Sequence, residues 1–539
     1  MIKEIFSPTR TLWDAESPDI PLSGWRLTVN KQAHRLRLLL PYLSIAFLAF
    51  LAFYNLPDYP LTWFDEGSHL HVPKTLVRYG VYADYSSEGF RYYGPTIGVG
   101  PTVMLPIALI FKLAGIGLLQ ARLVMALYLV LTVLAFFQLA YRLGGRRLAW
   151  VATVLLATSR AVSLVEYGRQ VLGEVPGLLF MLAGLVVWFA AWEKASWRRL
   201  ILAGLLLGLA MVTKYQYLLV IAPALVFSWL LNLVYYRTAS QRTFVLPGLV
   251  AGSVIALWLG YQILHLRPAT VAENLHMFRV STGGAALVFS TDLMKRGLKE
   301  LLGFGVFGGL LFPALAYGLV LVWPRNRQAQ RWAILYLLVV VNLAWFVLAS
   351  ISWLRYAFVG LAFASLFVAR FLSDLMEGFY LNLAALRHEN YGGDSNPPAW
   401  ASRWALLAWL GVMSLLPLGQ TVAEILSPDF NAPLAMAEYM DRHVPRDALI
   451  ETWEPEMGFL TDHNYRFPPP LLLNQAVAFI WLRGAPPSQE YDFLQAGKPE
   501  YVLVGEFARW VELYPREVLE QQYHLVTRID YYELYEQTR

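Results

Sequence analysis

Cysteine is absent from this 539-residue chain, which excludes disulfides, thiolate metal sites and cysteine nucleophiles. Charge is scarce as well. Asp, Glu, Lys and Arg make up 15% of the residues, where a soluble domain carries about 25%. That deficit, with 57% hydrophobic residues and a mean hydropathy of +0.46, excludes the disordered, collagen-like and disulfide-rich classes. No basic stripe interleaved with aromatics occurs, and the formal net charge is only +5, so nucleic acid is not an expected partner. A polytopic membrane protein remains.

Long apolar runs are what the chain has instead. The first begins at Leu38, too deep in the chain and too long for a cleaved signal peptide. It reads as a first span over 38–56, and further runs cover 121–141, 148–165, 174–192, 200–213, 217–236, 244–264, 303–323, 332–351, 356–376 and 404–421. Counted separately these are eleven spans, each near the roughly 20 residues needed to cross the hydrocarbon core. Segment 96–117 is also apolar, but it is broken by Pro95, Pro101 and Pro106. Charge decides its placement. If it does not cross, Arg142, Arg146 and Arg147, then Lys194, Arg198 and Arg199, then Arg237 and Arg242, then Arg325, Arg327 and Arg331, and finally Arg387 and Arg403 share one side with the basic N-terminal segment 1–37. That side is cytoplasmic by the positive-inside rule. Segment 96–117 is therefore expected to lie in the outer interface, and the C-terminus is expected outside.

Beyond 426 the composition changes, and Asp, Glu, Arg, Pro and Tyr become frequent. Strand-like runs at 448–453, 501–507 and 524–535, with helix-like stretches at 433–442 and 471–481, predict a small extracytoplasmic α/β domain over 427–539. The expected organisation is mainly α: a cytoplasmic segment 1–37, a helical membrane domain 38–426 with a long outer loop 57–120, and the C-terminal α/β domain. Residues 379–401 read as a cytoplasmic loop.

The same topology sorts the polar residues. Asp65 and Glu66 stand in W-F-D-E-G, about nine residues past the first span. A partly desolvated carboxylate there can act as a general base, although interfacial solvation or helix capping would also place acids here. Glu174 lies at the mouth of an apolar run close to Arg169, in E-Y-G-R-Q-V-L-G-E. A carboxylate in that position is costly unless it faces a polar cavity. Lys214 interrupts L-A-M-V-T-K-Y-Q-Y-L-L, where a lone cation calls for an anion, carboxylate or phosphate. Arg355, in S-W-L-R-Y, is a fourth charge at an outer helix end. Each taken singly is consistent with snorkelling, but together they form a set that no cytoplasmic loop matches. His69 and His71 beside Glu66 leave a divalent metal open, although side chains two apart do not share a helix face. Gly303 to Gly308 fits G-x-G-x-x-G without a preceding strand and reads as helix packing, as does the pair Gly204 and Gly208.

These motifs resemble the GT-C superfamily of membrane glycosyltransferases, in particular the branch of protein O-mannosyltransferases and lipid A aminoarabinose transferases. The resemblance rests on W-F-D-E-G in the first outer loop, R-Y-Y-G-P-T-I-G-V-G-P after it, F-K-L-A-G-I-G-L-L-Q-A-R-L opening the second span, G-R-R at its far end, R-Q-V-L-G-E, and the late S-W-L-R-Y. It covers about 38–376, and the D-E dipeptide is its most specific part. Tyr-Gly-Pro stands where the branch more usually has consecutive prolines.

The resemblance implies a GT-C membrane bundle and an inverting transfer of a sugar from a polyprenyl-phosphate donor to a hydroxyl of a protein, lipid or glycan acceptor, at the outer face of a cell membrane. It implies Asp65 as the base, Glu66 and Glu174 orienting acceptor or sugar hydroxyls, and Lys214 and Arg355, with Arg169 as a third, holding the lipid phosphate. Arg91, Tyr93 and Tyr356 would line the donor groove. No cofactor is firmly implied. The competing readings are a lipid-linked glycan transporter or flippase, an oligosaccharide polymerase or ligase, and a structural membrane subunit.

Overall fold

The computed structural model describes residues 39, 41–91, 98–193, 196–265, 268–281, 286–376 and 400–538. Segment 1–37, Tyr93 and most of loop 379–401 therefore lie outside the described residues. The chain divides into two compact units, Met1–Phe50 and Leu51–Arg539. Of the first, the described part is helical and stacks Phe47 on Phe50 with ring centroids 6.1 Å apart.

The fold is mainly helical. In chain order the helices are α1 (Pro41–Phe53), α2 (Phe64–Tyr79), α3 (Pro101–Ala114), α4 (Leu118–Thr158), α5 (Glu174–Glu193), α6 (Trp197–Thr213), α7 (Tyr215–Leu231), α8 (Arg242–His265), α9 (Pro268–Ser281), α10 (Thr291–Leu302), α11 (Leu311–Val322), α12 (Arg327–Ala349), α13 (Phe358–Met376) and α14 (Trp400–Leu426). Among the described residues, seven helices are long and apolar enough to cross a membrane. They include α4, α5, α8 and α12, and the spans Tyr215–Tyr236, Leu354–Met376 and Trp404–Leu426. The expected run 121–141 lies in the first half of α4, and run 148–165 supplies its second half to Thr158 before a turn and a four-residue helix, Leu164–Tyr167. The two halves part at Gly144 and Gly145, where Gly145 takes φ 74, a backbone region glycine enters without steric penalty. Within run 303–323 only α11 is α-helical, because residues 303–310 form turns and a short 3-10 segment. Gly308 lies there against the Trp409 ring, so the expected packing role holds but the helical setting does not. Gly204 and Gly208 do pack helices. A Cβ on either would meet α8 at 2.6–2.7 Å.

Segment 96–117 yields α3, whose 14 residues span about 21 Å, short of a hydrocarbon core of about 30 Å. Val103, Met104, Ile107 and Phe111 are buried against Leu70 and Val72 of α2. Leu105, Leu109 and Leu113 are exposed at i, i+4 and i+8, one stripe of a helix that suits an apolar solvent.

The C-terminal part is a five-stranded mixed sheet in the order β4-β3-β5-β7-β6, built from β3 (Leu449–Thr452), β4 (Asn464–Arg466), β5 (Tyr501–Val504), β6 (Tyr523–Ile529) and β7 (Tyr532–Gln537). An earlier hairpin, β1 (Asp84–Ser86) and β2 (Gly89–Arg91), follows α2. Beta alternation divides the large sheet's residues between two cores. Ile450 and Leu503 pack with α15 (Ala432–His443), whereas Val502 and Val504 pack with α17 (Leu472–Leu482).

The sheet is fixed to α2 through α16 (Pro455–Leu460). Gly67 permits this contact, because a Cβ there would stand 2.3 Å from the Glu456 amide nitrogen. Lys74 Nζ donates to the carbonyls of Gly458, Phe459 and Thr461 at 2.8–3.1 Å, placing a cation on the negative end of α16. His71 links the Pro455 carbonyl to Asp84, both at 2.7 Å.

Candidate active site

Four expected residues meet at one point. Asp65 sits in the first turn of α2, where the helix dipole favours a carboxylate. Glu174 opens α5, Lys214 occupies the extended break between α6 and α7, and Arg355 lies in the 3-10 turn before α13. Arg355 donates from Nη1 to Asp65 and from Nε to Glu174, each at 2.5 Å. Lys214 Nζ donates to the same Glu174 oxygen at 2.5 Å. Two cations thus meet two carboxylates. Glu174, Lys214 and Arg355 are buried, while the Asp65 side chain keeps 30% of its surface open.

The second Glu174 oxygen is buried without a hydrogen-bond partner among the described residues. A bare acceptor in a buried charged cluster is expensive in an ordinary core. It is what a site for a polar ligand offers.

An aromatic cage surrounds Arg355. Trp63, Tyr167 and Trp353 place their ring centroids 5.4–5.8 Å from the guanidinium carbon, within cation–π range. Trp353 packs in turn against Trp481 from α17, with centroids 6.2 Å apart. Tyr356 stacks on Trp345, beside the same cluster.

Three expected residues are employed elsewhere. Glu66 is fully buried, accepting from Arg122 Nε at 2.9 Å and Nη2 at 2.5 Å and from the Val171 amide at 3.1 Å. Both its oxygens serve the protein, so the expected role of orienting acceptor or sugar gives way to anchoring α2. Arg169 spends its guanidinium on the carbonyls of Leu51, Tyr54, Asn55 and Tyr59 at 2.6–3.0 Å, which leaves it out of the lipid-phosphate set. Arg91 pairs with Asp84 and lies over Phe467, in the hairpin and not in the cluster.

Sequence pattern alone gives Arg122 no role, although it carries the signal that marks Lys214, a lone cation inside an apolar run near an outer helix end. The cage rings Trp63, Tyr167 and Trp353 have no such signal, because isolated aromatics are common at membrane interfaces.

His69 and His71 are each tied to protein partners. His69 Nδ1 meets the Val171 carbonyl at 2.7 Å, and burial lowers its pKa to about 4, which keeps it neutral. Both ring nitrogens of His71 are engaged. Among the described residues no three His, Cys, Asp or Glu side chains are placed to share a metal ion.

The fold resembles that of the GT-C superfamily, a class of membrane-bound glycosyltransferases. Within it the likeness is to the branch anticipated from the motifs. Residues 99–261 match the family profile described as dolichyl-phosphate-mannose-protein mannosyltransferase. The crystal structure of ArnT from Cupriavidus metallidurans bound to undecaprenyl phosphate superposes with a TM-score of 0.62 at 14% identity, covering 93% of this chain and 98% of that one. Its apo state gives the same TM-score and coverage at 16% identity. The archaeal oligosaccharyltransferase AglB from Archaeoglobus fulgidus, in complex with an inhibitory peptide and a dolichol-phosphate, gives 0.53 at 12% identity, over 92% of this chain and 74% of that one. No curated protein matches the sequence significantly.

Proposed function

We propose that the protein is an inverting glycosyltransferase that moves a sugar from a polyprenyl-phosphate donor to an acceptor hydroxyl at the extracytoplasmic face of the membrane. The observation that carries this reading is the cluster of Asp65, Glu174, Lys214 and Arg355, with Asp65 as its open member. Asp65 takes the proton of the acceptor hydroxyl as that oxygen attacks the anomeric carbon. The bond from that carbon to the phosphate oxygen breaks, and its electron pair leaves with the lipid phosphate. An attack of this kind sets base and leaving group on opposite faces of the sugar, so the configuration would invert.

Charge balance supports this assignment. At rest the two cations and two carboxylates cancel. Once Asp65 is protonated, one positive charge on Arg355 and Lys214 is left unmatched, at the moment the departing phosphate gains its negative charge. Stabilisation that appears only as charge develops is what lowers a barrier. The free Glu174 oxygen is then an acceptor for a sugar hydroxyl. Trp63 and Trp353 lie against Arg355, and apolar rings beside a charge lower the local dielectric, which strengthens these interactions.

The test is transfer by the purified protein from a panel of short-chain polyprenyl-monophosphate sugars, wild type beside Asp65→Asn. Turnover that vanishes in the variant supports the reading, and equal turnover removes Asp65 from the mechanism. Turnover only with lipid-diphosphate glycans would favour a polymerase or ligase, and lipid translocation without transfer would favour a flippase.

A further inference from the structure

At the far end of α2 from Asp65 the chain forms a second polar concavity, and we infer that it is a saccharide-binding site for a neutral glycan. That this glycan is the remote part of the acceptor rests on the transfer reading above; the binding itself does not. The cavity is about 110 Å3 and lies between α2, the β1–β2 hairpin and the turn after α16, with Arg78, Tyr79, Tyr85, Ser86, Asp462 and Asn464 among its walls.

Two features point to a sugar. First, Tyr79 and Tyr85 are 49% and 44% exposed, with ring centroids 5.1 Å apart and planes at 33°. Phe90 packs against both at 5.5–5.6 Å. Tyrosines left half-open in this way offer apolar faces tipped with hydroxyls, matched to a pyranose, which has C–H bonds on its faces and hydroxyls on its rim. Second, the polar wall is rich in hydrogen-bonding groups, but its Lys and Arg are already spent. Both terminal nitrogens of Arg78 are committed to Asp462 at 2.8 Å. Lys74 is committed to three carbonyls and to Asp462 at 2.9 Å. An anion would find no unmatched charge on either. A neutral polyol finds the carboxylate of Asp462, held ionised by the Arg78 hydrogen bonds, with the amide of Asn464 and the tyrosine hydroxyls.

The rings do not suit a place in the bilayer. Glu88, at the turn of their hairpin, has 60% of its side chain exposed, and Asp462 49%. A carboxylate in hydrocarbon is too costly for that setting.

The site also has a reach. Arg78 follows Asp65 by thirteen residues on the same helix, about 20 Å along its axis, the span of several linked sugars. An acceptor gripped at Tyr79 and Tyr85 while its terminal hydroxyl meets Asp65 would be a glycan chain and not a single small molecule.

The experiment is saturation-transfer difference NMR on the full-length protein in detergent, with gluco-, manno-, arabino- and N-acetylglucosamine oligosaccharides of four to six units. Wild type is compared with Tyr79→Ala, Tyr85→Ala, Tyr85→Phe and Asp65→Asn. At least one oligosaccharide should bind wild type and Asp65→Asn alike, weaken tenfold or more in both alanine variants, and persist in Tyr85→Phe, which keeps the ring. Retention of that binding in both alanine variants overturns the site, as does an absence of binding across the panel. Broadening of the Tyr79 and Tyr85 ring signals by a paramagnetic lipid would place the rings in the bilayer and overturn it as well. Because Asp65→Asn should still bind, loss of turnover and loss of binding remain separate outcomes.

Discussion

Asp65 and Glu66 are neighbours in sequence, each paired with an arginine, and yet they belong to different parts of the molecule. Asp65 shares Arg355 with Glu174, which also accepts from Lys214, and the Asp65 side chain stays 30% exposed. Glu66 and Arg122 are each 0% exposed, and Arg122 also grips the Leu56 carbonyl at 2.7 Å and Thr62 at 3.3 Å. In the first cluster polar capacity is left over; in the second each Glu66 oxygen is used. Unsatisfied capacity next to a satisfied pair distinguishes a group kept for chemistry from one kept for architecture. The buried pair fixes the helix that aims Asp65.

The sharpest way to break this comparison is to exchange the two acids' consequences. Asp65→Asn should lower transfer by on the order of 10²–10⁴-fold, the usual contribution of a general base, with an unchanged melting temperature in detergent. Arg122→Gln should do the reverse. Leaving Glu66 buried without its partner is expected to cost about 3–5 kcal/mol of stability, read as a large fall in melting temperature. An Arg122→Gln protein that melts normally but does not turn over would move the inner pair into the chemistry.

A smaller effect separates charge from geometry in the open cluster. Arg355→Lys keeps the cation but cannot bridge Asp65 and Glu174 from a planar fork. We expect about a tenfold to hundredfold loss in kcat, as for a displaced charge-stabilising donor, with a smaller change in donor KM. Loss confined to KM would make Arg355 a ground-state anchor.

The smallest effect concerns a third kind of buried acid, in the sheet. Glu451 accepts from Tyr491 at 2.7 Å and Tyr514 at 3.3 Å, and burial raises its pKa to about 7. A folded-state pKa above the unfolded one means the native protein holds the proton more tightly. Stability from this group is therefore complete below about pH 4.5 and is lost as pH rises through about 7. Melting temperature followed from pH 5 to 8 should show this shallow decline, and Glu451→Gln should flatten it. A decline of the same size in the variant would assign it to Glu454 and Glu456, whose carboxyls burial also raises.

Much of the fold is legible in the sequence. The strand-like run 448–453 contains β3, 501–507 contains β5 before a helix begins at Glu506, and 524–535 falls on β6 and β7. The helix-like 433–442 and 471–481 are α15 and α17. Asp65, Glu174, Lys214 and Arg355 stand out because charges at the ends of apolar runs are rare and costly. The harder distinctions concern partners. Glu66 and Arg169 carry the same signal as their neighbours, and only their contacts separate them. Arg122 lies in a motif that supports the resemblance, but nothing in a linear pattern pairs it with an acid 56 positions away. Tyr79 and Tyr85 carry no mark at all, because an exposed aromatic is informative only when a cavity lies beside it.

The sequence by itself determined the class of solvent this protein folds in, the order of its helices, the α/β character of its last hundred residues and the short list of charged groups that needed an explanation. Hydrophobicity, periodicity and charge placement are local properties, and a chain displays them directly. Tertiary structure alone decided which acid meets which base, because the pairings of the cluster and of its buried neighbour join residues from 40 to 290 positions apart. Whether a buried charge is fully matched or left with capacity for a ligand depends on every neighbour at once, and those neighbours are set by packing.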